Sequence, residues 1–389
     1  MKKQHLAGLL AGVGALVPFA VQAQPSTTTT SSNAKSAIEP GEMIMPGQLP
    51  AGYNYPAAYR LSEGWDFFVT ADYIYWMASQ ENMIFPGVVS DPVTVVASPP
   101  GVNGPYLEYR PMNTTFKSGF KVGLGWQMPS IDNWVIGFEY TWYHNTFTDS
   151  LSSAVLPNTA TAIELPLNIT TASHLTEVLF NDLILTYASG SPIKIQEQWN
   201  LAVDILDGKF ERPYYLGTRL LITQEAGARA MWIEQTVRYA NKSSTANSTT
   251  QIKYHSNNWG LGPRIAMRAN WFLGMGISLV SKAGASLLFT QYNEIYRKEN
   301  NLVSTGPTLR PSGEINVFRP QMEAGLGVQW GTYLGDDSMH LDLSAIYDFN
   351  MFWNQNEAFN FLYGTTVGAA TYPGSLYLHG LTIRAGFDF

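Results

Sequence analysis

The sequence predicts a transmembrane antiparallel β-barrel, and three observations predict it. The last nine residues place Leu381, Ile383, Ala385, Phe387 and Phe389 on one face and Thr382, Arg384, Gly386 and Asp388 on the other, because successive side chains of a strand point to opposite sides. Residues 115–128 divide more cleanly. Their even positions read Phe116, Ser118, Phe120, Val122, Leu124, Trp126 and Met128, and their odd positions Thr115, Lys117, Gly119, Lys121, Gly123, Gly125 and Gln127. A helix would scatter both sets around its circumference. The third observation is composition. Charged residues are 14% and aromatics 13% of the chain, where soluble domains carry about 25% charged residues. Beyond the N-terminus no apolar run is long enough to be a spanning helix. Strands wet on one side and oily on the other produce that balance.

Met1-Lys2-Lys3 and an uncharged run from Leu6 to Val21 open the chain, followed by small residues at Val21 and Ala23. The run is short and broken by Gly8, Gly12, Gly14 and Pro18, which reads as a secretory signal over Met1 to Ala23 rather than a spanning helix. Cleavage there leaves 389 − 23 = 366 residues and, with two lysines gone, moves the formal charge from −7 to −9. Residues 24–63 begin with a Ser/Thr run and continue rich in Pro, Gly and Tyr, which suits a low-complexity periplasmic lead. Residues 64–389 are the expected barrel. No cysteine is present, so thiol chemistry and Cys-based metal sites are excluded.

Strand periodicity recurs along that region. Gly64 to Ser79 puts Trp65, Phe67, Val69, Ala71, Tyr73, Tyr75 and Met77 on one side, although Phe68, Ile74 and Trp76 blur the other. Trp134 to Asn145 sets Trp134, Ile136, Phe138, Tyr140 and Trp142 against Gly137, Glu139 and Thr141. Gln196 to Leu206 alternates through Trp199, Leu201, Val203 and Ile205, and Leu220 to Trp232 holds Thr223, Glu225, Gly227 and Arg229 on its polar side. Trp259–Trp271 with Ile277–Phe289, and Val317–Trp330 with His340–Phe349, read as two further strand pairs. Leu175 to Tyr187 reads equally as a short helix or a strand.

Short turns are expected at 129–133, 272–275 and 331–338, and longer connections at 80–114, 147–195, 241–251, 293–315 and 350–376. That asymmetry suits short periplasmic turns and long external loops. Trp126, Trp134, Trp271, Phe272, Trp330 and Tyr333 stand beside the short turns, as an interfacial aromatic girdle would. The strand count should be even. Ten strands carry the pattern, twelve follow if a turn falls within 216–228 and a strand within 147–195, and sixteen are not excluded.

The polar phase carries Lys117, Lys121, Arg229, Arg264, Arg268, Lys282, Arg319 and Arg384, with Asp66, Asp72, Glu139, Glu225, Glu323, Asp342, Asp348 and Asp388. An Arg or Lys facing lipid at mid-bilayer costs roughly 2–4 kcal/mol. These sixteen charges therefore face water or one another, as a channel lining or as a salt-bridged plug. With ten strands little lumen would stay open.

Several stretches resemble the major outer membrane protein family of Legionella and the related porins of environmental chlamydiae. They are Gly119 to Gly125, Glu139 to Asn145, Arg212-Pro213-Tyr214-Tyr215 and Gly227 to Ile233, in that order, and the resemblance spans roughly residues 64–389. It implies a porin in the bacterial outer membrane that passes small hydrophilic solutes. The alternative is a closed structural or adhesive barrel displaying long loops. The chlamydial protein is cysteine-rich and cross-linked, and this chain has no cysteine, which argues against a cross-linked coat. A terminal strand closed by Phe387 and Phe389 resembles the signal read by the barrel assembly machinery. Outer-membrane lipid and that machinery are the expected partners. A homo-oligomer is compatible with the pattern, and the acidic balance argues against nucleic acid.

No enzymatic role, cofactor or metal is expected. His144, His174, His255, His340 and His379 remain after signal removal. Neither His144-Asn145 nor His255-Ser256-Asn257 forms a triad by proximity, since strand neighbours face opposite ways. No histidine pair has metal-site spacing, and no glycine-rich loop opens a helix.

Overall fold

The computed structural model describes residues 54–56, 65–81, 83, 112–129, 131, 133–153, 178–180, 183–185, 193–243, 248–300, 305–309, 315–335, 338–356 and 373–389. The expected signal, and all of the expected lead except 54–56, lie outside them. Ten antiparallel strands form one closed sheet. They are β1 (Phe67–Gln80), β2 (Lys117–Met128), β3 (Trp134–Ser153), β4 (Ile193–Leu216), β5 (Leu220–Ser243), β6 (Ser248–Gly274), β7 (Ile277–Asn300), β8 (Ile315–Leu334), β9 (Met339–Asn356) and β10 (Gly374–Asp388). Each pairs with its neighbours in sequence, and β10 pairs with β1, from Leu376↔Gln80 to Asp388↔Phe68. Closure leaves no sheet edge for lipid to meet, which a spanning sheet requires.

Among the described residues four short strands lie off the ring. Asn54–Pro56 pairs with Tyr214–Leu216 of β4, so part of the expected lead is held against the barrel. Thr305–Leu309 pairs with β7. Val178–Phe180 pairs with Leu183–Leu185, so the ambiguous stretch at 175–187 contains a small hairpin outside the ring.

Four tight turns fall at one end. Asn133 (φ 54°), Gly217 (φ 74°), Met275 (φ 50°) and Gly335 (φ 63°) supply their left-handed residues, as two- to five-residue hairpins demand. The turn at 217–219 is the one the periodicity left open. At the other end the strands run further than their pattern suggested. β3 continues past His144 to Ser153, β5 and β6 leave only 244–247 between them, β7 reaches Asn300 and β9 reaches Asn356. The connections expected at 241–251 and 293–315 are therefore largely strand.

Alternation decides which side meets lipid. On β6 Trp259, Leu261, Pro263, Ile265, Met267, Ala269 and Trp271 point outward. The 271 − 259 = 12 steps between the tryptophans, at ~3.3 Å rise and ~40° tilt, cover roughly 30 Å, the height of a hydrocarbon core. Trp126, Trp134, Trp271 and Trp330 form the girdle on the turn side. Phe272 and Tyr333 do not join it: they lie on the inward phase, against Tyr215 and His340.

Trp232 and Trp259, opposite one another on β5 and β6, mark a second, outer girdle, and beyond it the amphipathicity inverts. On β4 Trp199, Leu201, Val203 and Ile205 are buried inward, whereas Gln198, Asn200 and Asp204 take the outward phase. The alternation expected to mark a lipid face here marks an interior. This half of the barrel stands in water and needs an oily core, as a soluble sheet does. Ile74 and Trp76, which blurred the polar face of β1, belong to this interior; Phe68, also inward, lines the turn-side end of the lumen.

Candidate functional site

The candidate site is the lumen, built in storeys by inward positions of successive strands. At mid-height seven cations, Lys121, Lys209, Arg229, Arg264, Arg268, Lys282 and Arg384, meet seven anions, Asp72, Glu139, Asp207, Glu211, Glu225, Glu323 and Asp348. Every strand of the ring contributes at least one. Register makes some pairs local: Asp207 stands opposite Arg229, and Asp72 opposite both Lys121 and Arg384. The Arg384 guanidinium donates to Asp72 at 2.9–3.0 Å.

Further pairs link the strands, some of them across the lumen. Arg229 on β5 donates Nη2 to Glu323 at 2.9 Å and Nη1 to Gln321 at 2.6 Å, both on β8. Arg384 on β10 reaches Glu139 on β3 at 2.7 Å. Arg264 bridges Glu225 (3.0 Å) and Glu323 (2.9 Å from Nε). Arg268 donates to Glu211 and Glu225 at 3.1 Å each. Lys209 lies 3.1 Å from Glu211 and 3.5 Å from Glu139. Lys282 lies 2.9 Å from Asp348. Glycines make room for these long chains: a Cβ at Gly284 would lie 2.7 Å from the Glu323 carboxylate, and one at Gly325 would lie 2.6 Å from Asp348. Charges taken from water are tolerable only when paired and hydrogen-bonded, and this belt supplies both.

On the turn side of the belt the lumen widens into a vestibule of about 780 Å³. Thr70, Gln127, Thr223, Asn270, Gln329 and Asp342 are among the groups lining it. His340 stands at its rim, with Nδ1 3.2 Å from Asp388 and 3.4 Å from Asp342. Among the described residues these three could offer one metal-ligand atom each within 4.8 Å of one another. Asp342 also accepts from Gln329 at 2.7 Å.

On the far side of the belt the lumen is apolar. Ile74, Trp76, Tyr143, Trp199, Met231, Ile233, Leu288, Phe352, Leu376 and Leu378 belong to one buried cluster. Its polar atoms are satisfied internally: Trp76 Nε1 donates to Thr382 (3.1 Å), Tyr143 to the Trp76 carbonyl (2.9 Å), and Trp199 Nε1 to Gln235 (3.2 Å).

All twelve residues expected to line a pore, Lys117, Lys121, Glu139, Glu225, Arg229, Arg264, Arg268, Lys282, Arg319, Glu323, Asp342 and Arg384, occupy inward positions. They do not share one level. Lys117, opposite Trp76, and Arg319, opposite Leu288, stand in the apolar storey. Asp342 stands in the vestibule, and the other nine belong to the belt. Asp66 precedes β1 with φ 61° and lies at the rim. Phe387 and Phe389 face outward in the inner girdle, with ring centroids 6.4 Å apart. Sequence reasoning missed Asp207, Lys209 and Glu211. Their signal was present, since they alternate with Leu206, Gly208 and Phe210, but the apolar odd positions before Asp207 disguise the change of storey.

Over residues 52–389 the chain matches the family of the Legionella pneumophila major outer membrane protein precursor. Among curated proteins no relative matches it. Several solved structures show a distant likeness. The outer membrane protease OmpT of Escherichia coli is 8% identical, with 85% of this chain and 99% of that one covered and a TM-score of 0.35. A Pseudomonas aeruginosa FadL homologue is 8% identical, with 90% and 97% covered and a TM-score of 0.24. The P. putida toluene transporter TodX is 8% identical, with 89% and 93% covered and a TM-score of 0.19. Likenesses this distant carry no information about activity.

Proposed function

The chain belongs to the family of the Legionella major outer membrane protein, and from that premise we propose that it is a narrow, gated porin of the bacterial outer membrane. It would pass small hydrophilic solutes by passive diffusion. The observation that carries the reading is the belt: fourteen charges at mid-bilayer height, drawn from all ten strands, behind a vestibule of about 780 Å³ lined by polar and apolar groups alike. A polar constriction selects by size and charge. Passage requires the crossing pairs, such as Arg229–Glu323 and Arg384–Glu139, to part, so the resting state is shut. The reading is non-catalytic. Its partners are lipid around the apolar band and the machinery that inserts barrels; it leaves room for a homo-oligomer and names no nucleic acid.

One observation favours a second reading. The inward apolar cluster around Trp76 and Trp199 continues outward from the belt, as it would in a closed structural barrel that displays its long connections. Planar-bilayer recording on the refolded, heat-modifiable protein separates the two. Discrete conductance steps, rare and small, are expected of the gated porin. Silence at every voltage below membrane rupture would hand the protein to the structural reading.

A further inference from the structure

Above the outer girdle the barrel carries a ladder of cations on its outward face. Arg238 on β5 stands opposite Lys253 on β6, and Lys253 stands opposite Lys298 on β7. The same rung continues through Gln198 and Thr148 on one side and Thr308 on the other. A register shift between Tyr292 and Glu294 makes this alignment. Counting from Phe289, Lys298 would fall on the inward phase; the extra residue turns it outward beside Lys253.

Like charges directly opposite across neighbouring strands repel, and three in a row need an anion. Among the described residues none of the three has a carboxylate within ion-pair distance. Arg238 reaches the Gln198 side-chain oxygen at 3.5 Å, and Lys253 donates to the Tyr296 hydroxyl at 2.7 Å while lying over its ring. The acids of this face, Glu234 and Glu294, sit on the rung nearer the membrane, level with Asn257. A concavity of about 730 Å³ opens at the ladder. Besides the three cations it is walled by hydrogen-bonding groups including Ser150, Gln196, Gln198 and Tyr296, with Asp149 the acid among them.

The position of the groove names its occupant. Arg238 lies 238 − 232 = 6 steps beyond Trp232 on the same outward face, roughly 15 Å above the girdle at ~3.3 Å per step and ~40° tilt. A molecule whose acyl chains lie against the apolar band below can reach this groove with its head. We propose that the groove binds the phosphorylated saccharide head of an outer-leaflet glycolipid. The three cations take the phosphate in charge-assisted hydrogen bonds, and the amide and hydroxyl groups take the sugar. Passage through the lumen plays no part in this, so the proposal stands or falls apart from the porin reading.

The test uses the full chain in detergent, titrated with lipopolysaccharide, with the same lipid stripped of its phosphates, and with inorganic phosphate. Retention of the heat-modifiable band certifies the fold of each variant. Wild type should prefer the phosphorylated lipid by roughly a hundredfold, about a factor of five for each cation. The triple variant Arg238→Gln, Lys253→Gln, Lys298→Gln should bind both lipids alike. If the triple variant fails to fold, Lys298→Gln alone should cut the preference about fivefold. Equal binding of both lipids by wild type, or an undiminished preference in the variants, overturns the proposal. Competition by inorganic phosphate at lipid concentration assigns the groove to a free anion and overturns it as well.

Discussion

Arg229 and Asp207 face each other across neighbouring strands and meet at two points, Nε to Oδ1 at 2.7 Å and Nη2 to Oδ2 at 2.6 Å. The same guanidinium then crosses the lumen to Gln321 and Glu323. One side chain therefore ties β4, β5 and β8 together where the barrel has no apolar filling.

Removing one partner leaves buried charge without compensation. Arg229→Ala should lower barrel stability by about 3–5 kcal/mol, read as an earlier loss of the heat-modifiable band and a lower urea midpoint. The pair Arg229→Met with Asp207→Leu should recover more than half of that loss. An unchanged midpoint in the single variant would show that the pair is solvated.

Gating rests on the pairs that cross. Arg264→Gln with Glu323→Gln keeps polar side chains at both positions and removes the ionic contacts that Arg264 and Arg229 make to Glu323. Open events in a planar bilayer should become several-fold more frequent, while the folded yield stays close to wild type. Identical conductance in wild type and the double variant would place the gate elsewhere.

Face assignment has its own test. Leu124 points outward, 58% exposed, at mid-band, and Leu124→Arg should cost about 2–4 kcal/mol in lipid. Its neighbour Gly125 is no neutral control, since a Cβ there would meet the Phe68 ring and, at 2.6 Å, the Ile136 carbonyl. Gly386 is better, with Asp342 Cβ at 3.5 Å and Thr70 at 3.7 Å. Gly386→Ser should insert normally and Leu124→Arg poorly. Equal membrane yields would reverse the faces.

The water-standing half contains a pH-sensitive group. Burial pushes the Glu197 carboxyl up to about 8, with the Asp149 charge adding to the rise and the Tyr239 hydroxyl easing it. A folded value above the unfolded 4.5 means that the folded chain holds the proton more tightly. The contribution is complete below about pH 4.5 and is lost as pH climbs to about 8. Wild type should resist protease at its outer half better at pH 5 than at pH 8, by on the order of 2 kcal/mol. Glu197→Gln should show no such slope, and a slope that survives the substitution would assign it to another group.

The membrane-spanning half was legible because lipid imposes one rule on it. Phe120, Val122, Leu124 and Trp126 must face out and Lys121, Gly123 and Gly125 must face in, so local alternation carries the answer. The twelve lumen positions named from phase alone all point inward for that reason. The rule stops at the outer girdle. From Trp199 to Ile205 the period is unchanged but the solvent outside is water, so the same pattern has the opposite meaning. Period reports that two faces differ, not which one is inside.

The sequence by itself determined an amphipathic barrel, its lipid-facing residues and the inward placement of its charges, because strand period and the cost of charge in lipid are local quantities. The tertiary structure alone decided that ten strands close the ring, that Arg229 reaches Glu323, and that a bulge near Tyr292 turns Lys298 outward. Those depend on register and curvature, which set partners across a lumen and leave no trace in the spacing of residues along one strand.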